Sequence, residues 1–273
     1  MNEWIFITGA TGGLGKAFAV ECASRSWNLF LTDLHHELLE SLASGLRKTY
    51  QVQILCQECD LTDPASRSDL FQSIRRSSLR FSMLINVAGT DHEGLFYERT
   101  REQINTIIRL NIEGTLDMTH NLLEFRDPYL PFRIINVASL AAFYPMPVKA
   151  TYAASKRFLL DFSMALREEV RGLGATVTVL CSAGLPTTPE CIQAIESQGL
   201  MGQLTTKDIG RVASGTLDYA LKGGAVYIPG WINRLLQILG SLMPPSLVAS
   251  FIGSRWRSAS QKRSLIQSRK IPI

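Results

Sequence analysis

The sequence lacks the features that mark exported and membrane-spanning chains. None of its 273 residues belong to an apolar run of about 18, the length that a transmembrane helix needs. The first residues, Met1 to Thr8, lack both the positive start and the long apolar stretch of a signal peptide. An odd number of cysteines, five, without such a leader indicates reduced thiols. We therefore expect a cytoplasmic protein.

Acidic residues are missing from the C-terminal part of the chain. From Tyr219 to Ile273 there is no Asp or Glu, and eight Lys and Arg residues give this stretch a charge of +8. The net charge of the whole chain is only +4, so residues 1–218 carry −4. Basic stretches attract anionic partners. Because no nucleic-acid recognition motif accompanies them, we expect no nucleic-acid partner.

A metal site is not expected. The sequence contains only four histidines, and its single C-x-x-C is formed by Cys56 and Cys59. A redox or metal-binding pair would have this spacing, but a second pair or suitably spaced histidines are missing. Two ordinary positions near the end of a strand explain it more simply.

Short apolar runs alternate with stretches of helical spacing along most of the chain. Strands separated by helices pair in parallel, because a parallel neighbour needs a crossover, and right-handed crossovers produce a doubly wound sheet. We therefore predict an α/β fold of the Rossmann type over residues 1–230, with a seven-stranded parallel sheet and helices on both faces. The predicted strands are 4–8, 28–33, 53–59, 81–87, 133–138, 175–181 and 225–228, and the predicted helices are 14–24, 36–48, 64–76, 100–125, 152–173 and 207–221.

A glycine-rich turn joins the first strand to the first helix. Glycines allow a tight turn and a close approach of the backbone to a pyrophosphate, which the amides at the helix N-terminus attract. Taken alone, such a turn is equally compatible with a purely structural role. The candidate phosphate-binding residues are Gly9, Thr11, Gly12, Gly13, Leu14 and Gly15.

Tyr152 and Lys156 lie four residues apart in a predicted helix, so both side chains project from the same face. A phenol with its ordinary pKa of about 10 is a poor base at neutral pH, and a nearby ammonium group lowers that pKa. The pair can therefore act as a general acid and base. Many helices have this spacing by chance, with a solvated lysine and a tyrosine in the core.

The ordered set of motifs resembles the short-chain dehydrogenase/reductase family, in its compact single-domain branch. The turn reads T-G-x-x-x-G-x-G, Ser139 precedes Tyr152 by the family's usual 13 residues, and Asn86 begins an Asn-Val-Ala-Gly segment. Two positions depart from the family pattern: Val87 replaces an asparagine, and Ala183 replaces a proline. The resemblance covers residues 4–228, with motifs at six places in order.

This resemblance implies an oxidoreductase that interconverts a secondary alcohol and a ketone. It gives Tyr152 the role of exchanging the proton and Ser139 that of polarising the substrate oxygen. Lys156 would hold the nicotinamide ribose and depress the pKa of Tyr152. Asn111, which lies mid-helix where asparagine is unfavourable, would hold a water that links the lysine to solvent. The alternative is a cofactor-binding regulatory or scaffolding protein with little turnover.

The acid at the end of the second predicted strand favours NAD over NADP. Asp33 lies 18 residues after Gly15, where a carboxylate accepts hydrogen bonds from the ribose hydroxyls and repels a 2′-phosphate. Neither Leu34 nor Gly12 supplies the basic residue that phosphate-preferring members often have. Asp60 would contact the adenine, or else cap a helix. The further candidate cofactor-binding residues are Asp33, Asp60, Leu61, Asn86, Ala88, Gly89, Tyr152, Lys156, Gly184, Leu185 and Thr188.

Substrate choice is expected to depend on the loops at residues 90–96, 140–149 and 189–202. Their apolar side chains, such as Phe143 and Tyr144, favour an apolar substrate, although core packing or an oligomer interface explains them nearly as well. The resemblance also implies a homodimer or homotetramer that pairs through the helices at 100–125 and 152–173.

Residues 231–273 form an amphipathic, basic extension. In its first helix, Trp231, Leu235, Ile238, Leu239 and Leu242 share one face. Three interpretations remain open: this stripe packs on the same domain or a partner subunit, forms a lid over an apolar substrate, or lies on an anionic membrane as a peripheral contact.

Overall fold

The computed structural model describes residues 3–187, 191–192 and 204–254. Within these ranges seven strands form one fully parallel sheet in the order β3-β2-β1-β4-β5-β6-β7. The chain order reverses between β1 and β4, and ligands of such sheets bind at that point, beyond the carboxyl ends of the strands. The strands are β1 (Trp4–Thr8), β2 (Asn28–Asp33), β3 (Ile54–Glu58), β4 (Met83–Asn86), β5 (Phe132–Val137), β6 (Ala175–Leu180) and β7 (Val226–Tyr227).

Helices cover both faces of the sheet, so the predicted α/β doubly wound fold is confirmed. The helices are α1 (Gly13–Ser24), α2 (His36–Tyr50), α3 (Pro64–Ser77), α4 (Arg101–Ile108), α5 (Thr115–Glu124), α6 (Ala150–Glu169), α7 (Ile209–Leu221) and α8 (Trp231–Leu242). Residues 245–254 are also helical. In the part of the chain that is described, no helix is long and apolar enough to cross a membrane.

Two apolar layers, one on each face of the sheet, form most of the core, and a smaller cluster lies where α6 packs on β6. Successive side chains of a strand point to opposite faces. Ile5 and Ile7 of β1 therefore pack in the layer that contains Phe18 of α1, whereas Phe6 packs in the layer that contains Met118 of α5. All five of these side chains are fully buried. At about 1.5–3 kcal/mol for each large apolar side chain, these layers hold the strand ends in place.

Helix ends account for most differences from the predicted boundaries. The Asp208 side chain accepts a hydrogen bond from the Arg211 amide, so α7 begins at Ile209 and not at residue 207. Thr100 and Gln103 form a capping box at the start of α4. The single helix predicted over 100–125 is instead α4, a π-helical segment at Arg109–Gly114 and α5.

Helix α8 packs on the domain with its polar and small residues. Asn233 is fully buried, and its amide donates to the carbonyls of Thr205 and Pro229. Gly240 lies against the Tyr144 ring so closely that a Cβ there would be 1.9 Å from Cε1. The predicted apolar stripe lies on the other side and is exposed, with Trp231 at 73%. Residues 255–273 of the predicted extension lie outside the described ranges.

Candidate active site

The glycine-rich turn leaves space that only glycines provide. Gly9 has φ of +64°, and a Cβ on it would approach the Ala88 backbone to 2.8 Å. A Cβ on Gly15 would lie 2.0 Å from the Gly9 carbonyl oxygen, and one on Gly13 would lie 2.9 Å from the Thr187 side chain. Because helix α1 starts at Gly13, its free amides face the space enclosed by the turn, here called the glycine cradle. The turn fits a pyrophosphate group.

The Asp33 carboxylate is fastened to the turn. Its Oδ2 accepts hydrogen bonds from the Thr11 amide at 2.8 Å and from the Thr11 hydroxyl at 2.7 Å. Its Oδ1 accepts one from the Leu34 amide at 2.7 Å. The acid predicted to discriminate between cofactors therefore lies at the edge of the cradle, held by three donors.

The ends of β1 and β4 are joined by one hydroxyl. Thr8 Oγ1 accepts hydrogen bonds from the Val87 and Ala88 amides at 3.1 and 3.2 Å, so Val87 leaves no unpaired backbone donor here. The Asn86 amide donates inward, to Thr119 Oγ1 at 3.1 Å and Asn136 Oδ1 at 2.9 Å. Asn86 thus braces the sheet beneath the cofactor groove, while the Ala88 backbone lines the turn.

The Asp60 side chain closes a local turn after β3. Its Oδ1 accepts from the Thr62 amide at 2.8 Å and the Thr62 hydroxyl at 2.7 Å. The N-cap of α3 is Asp63, so Asp60 does not fill the capping role that was its alternative. Leu61 is buried, and its carbonyl accepts from the Arg67 guanidinium at 2.6 Å.

Ser139, Tyr152 and Lys156 come together at the carboxyl end of β5. Ser139 follows this strand directly, and the first turns of α6 carry the other two. Ser139 Oγ accepts a hydrogen bond from the Ala141 amide at 3.1 Å and donates to the Ser182 carbonyl at 3.4 Å, and the Ser139 side chain lies close enough to the Tyr152 phenol to lower its pKa. Lys156 is buried, donates from Nζ to the Val137 carbonyl at 2.9 Å, and has Nζ 5.7 Å from the centre of the Tyr152 ring. An oxygen atom bound beside Ser139 and Tyr152 would be within reach of two hydroxyl groups.

Burial is the largest influence on the pKa values of Tyr152 and Lys156. It raises the pKa of Tyr152 above the ordinary value of 10, although the Ser139 side chain acts in the opposite direction. Burial also lowers the pKa of Lys156 to about 8, although the negative charge of Asp91 favours the ammonium form. Desolvation is the largest influence on the pKa of Tyr152, and the nearby lysine that lowers it is Lys149. The expectation that Lys156 depresses the pKa of Tyr152 stays a prediction.

Asn111 lies in the π-helical segment and is fully buried. Its Oδ1 accepts from the Thr90 amide at 2.8 Å, and its Nδ2 donates to the Thr90 carbonyl and to Ser155 Oγ, both at 3.0 Å. A Cβ added to Gly89 would be 3.1 Å from Asn111 Oδ1 and 3.2 Å from Lys156 Nζ. Asn111, Gly89 and Lys156 therefore lie together, and the role of Asn111 in holding a water between Lys156 and solvent stays a prediction.

The loop after β6 closes the other side of the groove. Leu185 packs against the core layer beneath α1. Thr187, whose amide donates to the Leu185 carbonyl at 2.8 Å, faces Gly13 of the turn. Sequence reasoning missed Thr187, because 174 residues separate it from Gly13. Gly184 lies in the same loop, whereas Thr188 and the loop at 189–202, except Cys191 and Ile192, lie outside the described residues.

A second feature that the sequence did not indicate is an ion-pair cluster beside Tyr152. Lys149, immediately before α6, pairs with Asp91 and lies 3.2 Å from Glu93. Its Nζ is 5.8 Å from the centre of the Tyr152 ring. Asp91 and Glu93 belong to the loop predicted to influence substrate choice. Their two acids and one lysine put a net negative charge at the edge of the site.

The order of the motifs, the reversal point of the sheet and the Ser139–Tyr152–Lys156 geometry agree with a match of residues 3–193 to the short chain dehydrogenase profile. The chain belongs to the short-chain dehydrogenase family. Members of this family are oxidoreductases that bind a nicotinamide cofactor.

Two curated relatives have known reactions. A very-long-chain 3-oxoacyl-CoA reductase from Laccaria bicolor is 33% identical over 180 residues, 64% of this chain and 53% of the relative. The human 17-beta-hydroxysteroid dehydrogenase type 3 is 28% identical over 228 residues, 82% of this chain and 70% of the relative. The chain thus spans about half the length of the fungal short-chain dehydrogenase that it matches.

Solved structures share the fold with different cofactors. The bulky-bulky ketone specific alcohol dehydrogenase from Comamonas testosteroni has a TM-score of 0.73 at 23% identity, covering 99% of this chain and 95% of its own. A Sphingobium yanoikuyae short-chain dehydrogenase with NADPH has 0.72 at 24%, covering 99% and 96%. One from Burkholderia phymatum with NAD has 0.76 at 20%, covering 87% and 92%. Fold similarity therefore leaves the choice of cofactor open.

Proposed function

We propose that this short-chain dehydrogenase interconverts a secondary alcohol and a ketone with NAD(H). The observation that carries the proposal is the meeting of Ser139, Tyr152 and Lys156 at the carboxyl end of β5, beside Gly89 and across from the glycine cradle. Two hydroxyl groups and an amine at one point suit proton exchange with a carbonyl oxygen.

Each residue of the site has its own role in the proposed reaction. Ser139 donates a hydrogen bond to the substrate oxygen and polarises the carbonyl group. Tyr152 is protonated at neutral pH because burial raises its pKa, so it is ready to give its proton to a ketone oxygen. Lys156 is mostly charged below its pKa of about 8 and favours the phenolate that remains. When bound, the nicotinamide would supply or accept the hydride. The glycine cradle and Lys156 would hold it.

The placement of Asp33 supports NAD(H) as the cofactor. A carboxylate held at the edge of the cradle by Thr11 and Leu34 accepts hydrogen bonds from ribose hydroxyls and repels a 2′-phosphate. We expect NADH to bind at least tenfold more tightly than NADPH, and Asp33→Asn to reduce that ratio at least tenfold. Fluorescence titration of both cofactors measures it, with Asp69→Asn on α3 as the charge-matched control. Tighter binding of NADPH to the wild-type protein would refute the assignment.

An apolar and bulky ketone is the proposed substrate class. Phe143 and Tyr144 follow Ser139 by four and five residues, in the loop predicted to influence substrate choice. The names of the relatives, a hydroxysteroid dehydrogenase and a reductase of long-chain oxoacyl groups, describe substrates of that kind. A ketone panel graded by size and polarity tests this proposal, and a preference for small hydrophilic ketones would contradict it.

Replacing Tyr152 with phenylalanine tests the catalytic assignment. Loss of the Tyr152 hydroxyl, the group assigned to exchange the proton, is expected to lower kcat by about 10²–10⁴-fold. NADH affinity should change less than threefold, since the ring remains. The matched control is Tyr129→Phe, at a tyrosine that is 92% exposed. Turnover retained in Tyr152→Phe would refute the mechanism, and NADH binding without turnover on the whole panel would favour the regulatory or scaffolding alternative.

We also propose a homodimer or homotetramer that pairs through the helical run from α4 to α5 and through α6. The exposed Phe158 ring stacks on Phe162 of the same helix, with centroids 6.0 Å apart, and Met164 is 41% exposed. Phe158→Glu is expected to shift the mass measured by light scattering towards the monomer. An unchanged mass would exclude this interface.

A further inference from the structure

Exposed apolar side chains are concentrated along α8 and the helical residues that follow it. Of the 23 large apolar side chains that are exposed in the described part of the chain, eight fall between residues 231 and 251. At exposures of 43–77% these eight side chains together present on the order of 800 Å² of apolar area. This surface, here called the α8 face, consists of Trp231, Leu235, Ile238, Leu239, Leu242, Met243, Leu247 and Phe251.

The α8 face lies opposite the side of the helix that contacts the described part of the domain. Those contacts are made through buried Asn233 and through Gly240 against Tyr144. Because Tyr144 belongs to the loop after Ser139, the side of α8 opposite the stripe is the side that contacts this loop. The described contacts therefore give no support to the interpretation of the stripe as a substrate lid.

The positive charge of the surrounding sequence favours an anionic partner for the α8 face. No acid occurs from Tyr219 onwards, and Arg234 lies exposed on α8 itself. Six of the eight basic residues of this stretch follow residue 254 directly in sequence. A second copy would bring another +8 against this one, and like charges repel. An anionic lipid surface offers acyl chains for the apolar side chains and the opposite charge for the basic ones.

We propose that the α8 face docks on the surface of an anionic lipid bilayer. The helix lies in the plane of the interface, with Leu235, Ile238 and Leu239 buried among the acyl chains. Trp231, at one end of the stripe, sits at the level of the headgroups, where its amphipathic ring is favoured. The positive charge of the acid-free stretch from Tyr219 onwards attracts the lipid phosphates. This proposal does not depend on the reaction that the enzyme catalyses.

Co-sedimentation of the full chain with vesicles tests the proposal. Vesicles of phosphatidylcholine and phosphatidylglycerol (3:1) are compared with vesicles of phosphatidylcholine alone. We expect at least tenfold stronger partition onto the anionic vesicles, reduced at least fivefold by 0.5 M NaCl because salt screens the charges. The double variant Leu235→Glu/Leu239→Glu should lose at least tenfold in partition.

The matched control places the same charges on equally exposed leucines elsewhere. Leu38→Glu/Leu173→Glu alters two leucines that are each 50% exposed, against 46% and 50% for Leu235 and Leu239. This control should keep at least half of the wild-type partition, and circular dichroism should show both double variants folded. Equal binding of Leu235→Glu/Leu239→Glu and wild type would overturn the proposal. So would failure to bind vesicles together with a concentration-dependent assembly that this variant disperses, because a second copy would then be the occupant.

Discussion

Replacing Gly15 with alanine is expected to destroy the phosphate turn, although it adds only one methyl group. The new Cβ would lie 2.0 Å from the Gly9 carbonyl oxygen, 2.8 Å from the Gly9 carbonyl carbon and 2.9 Å from the Ala10 Cα. All three atoms belong to the backbone, so no side-chain rotation relieves the overlap. The turn must move by about 1 Å or more to restore ordinary van der Waals contact.

The size of the effect follows from that overlap. Overpacking of a tight site costs about 1–3 kcal/mol, and an overlap with backbone belongs at the upper end. For a chain of this size, about 3 kcal/mol corresponds to a fall in Tm of roughly 6–12 °C. Since the same movement displaces the amides at the start of α1, affinity for NADH should fall at least tenfold.

Gly12→Ala is the control within the same turn. Gly12 has φ −69° and ψ 160°, which alanine adopts freely, and its added Cβ would be 3.4 Å from the Gly9 oxygen. This variant should stay within about 1 kcal/mol of wild type in stability and within threefold in NADH affinity. Differential scanning fluorimetry and fluorescence titration measure both properties. A Gly15→Ala protein with the Tm and NADH affinity of Gly12→Ala would refute the reasoning from backbone overlap.

Two further predictions concern buried polar groups at the site. Because burial lowers the pKa of Lys156 from 10.5 to about 8, the unfolded chain binds more protons between these values, and this group costs most stability below pH 8. Lys156→Met should therefore be more favourable relative to wild type at pH 7 than at pH 10.5 by about 3 kcal/mol, measured by urea unfolding; a constant difference would contradict the shift. Asn111→Ala removes three hydrogen bonds from a fully buried side chain and should cost about 2–4 kcal/mol in unfolding free energy and lower kcat, whereas Asn121→Ala on α5 should do neither.

Local patterns were enough to predict the sheet and the position of the catalytic residues. Fully apolar runs such as Ile5–Ile7 become strands that are buried on both faces. The glycines that follow such a run mark the tight turn from the strand into the next helix. The spacing of Tyr152 and Lys156 fixes their common face once the helix forms, because the helical repeat is a local property. The position of Asp33 was predicted in the same way, because it is the last residue of the run that forms β2.

Properties that depend on contacts between distant residues could not be predicted. The π-helical segment at Arg109–Gly114 lies where Gly114 meets the Leu61 carbonyl, which a Cβ would approach to 3.1 Å. The sign of the shift in the pKa of Tyr152 follows from how much protein surrounds the phenol. Periodicity revealed the stripe on α8, but it carries no information on which side of a helix the domain covers.

The short segment from Ser139 to Tyr144 connects the candidate active site to helix α8. Its first residue, Ser139, is the one proposed to polarise the substrate oxygen, and the ring of its last residue, Tyr144, packs on Gly240 of α8 at a distance that leaves no room for a Cβ. A ligand that shifts this segment therefore also shifts the surface on which α8 packs. Thermodynamic linkage makes such coupling reciprocal. The factor by which a substrate analogue changes affinity for a vesicle must equal the factor by which the vesicle changes affinity for the analogue.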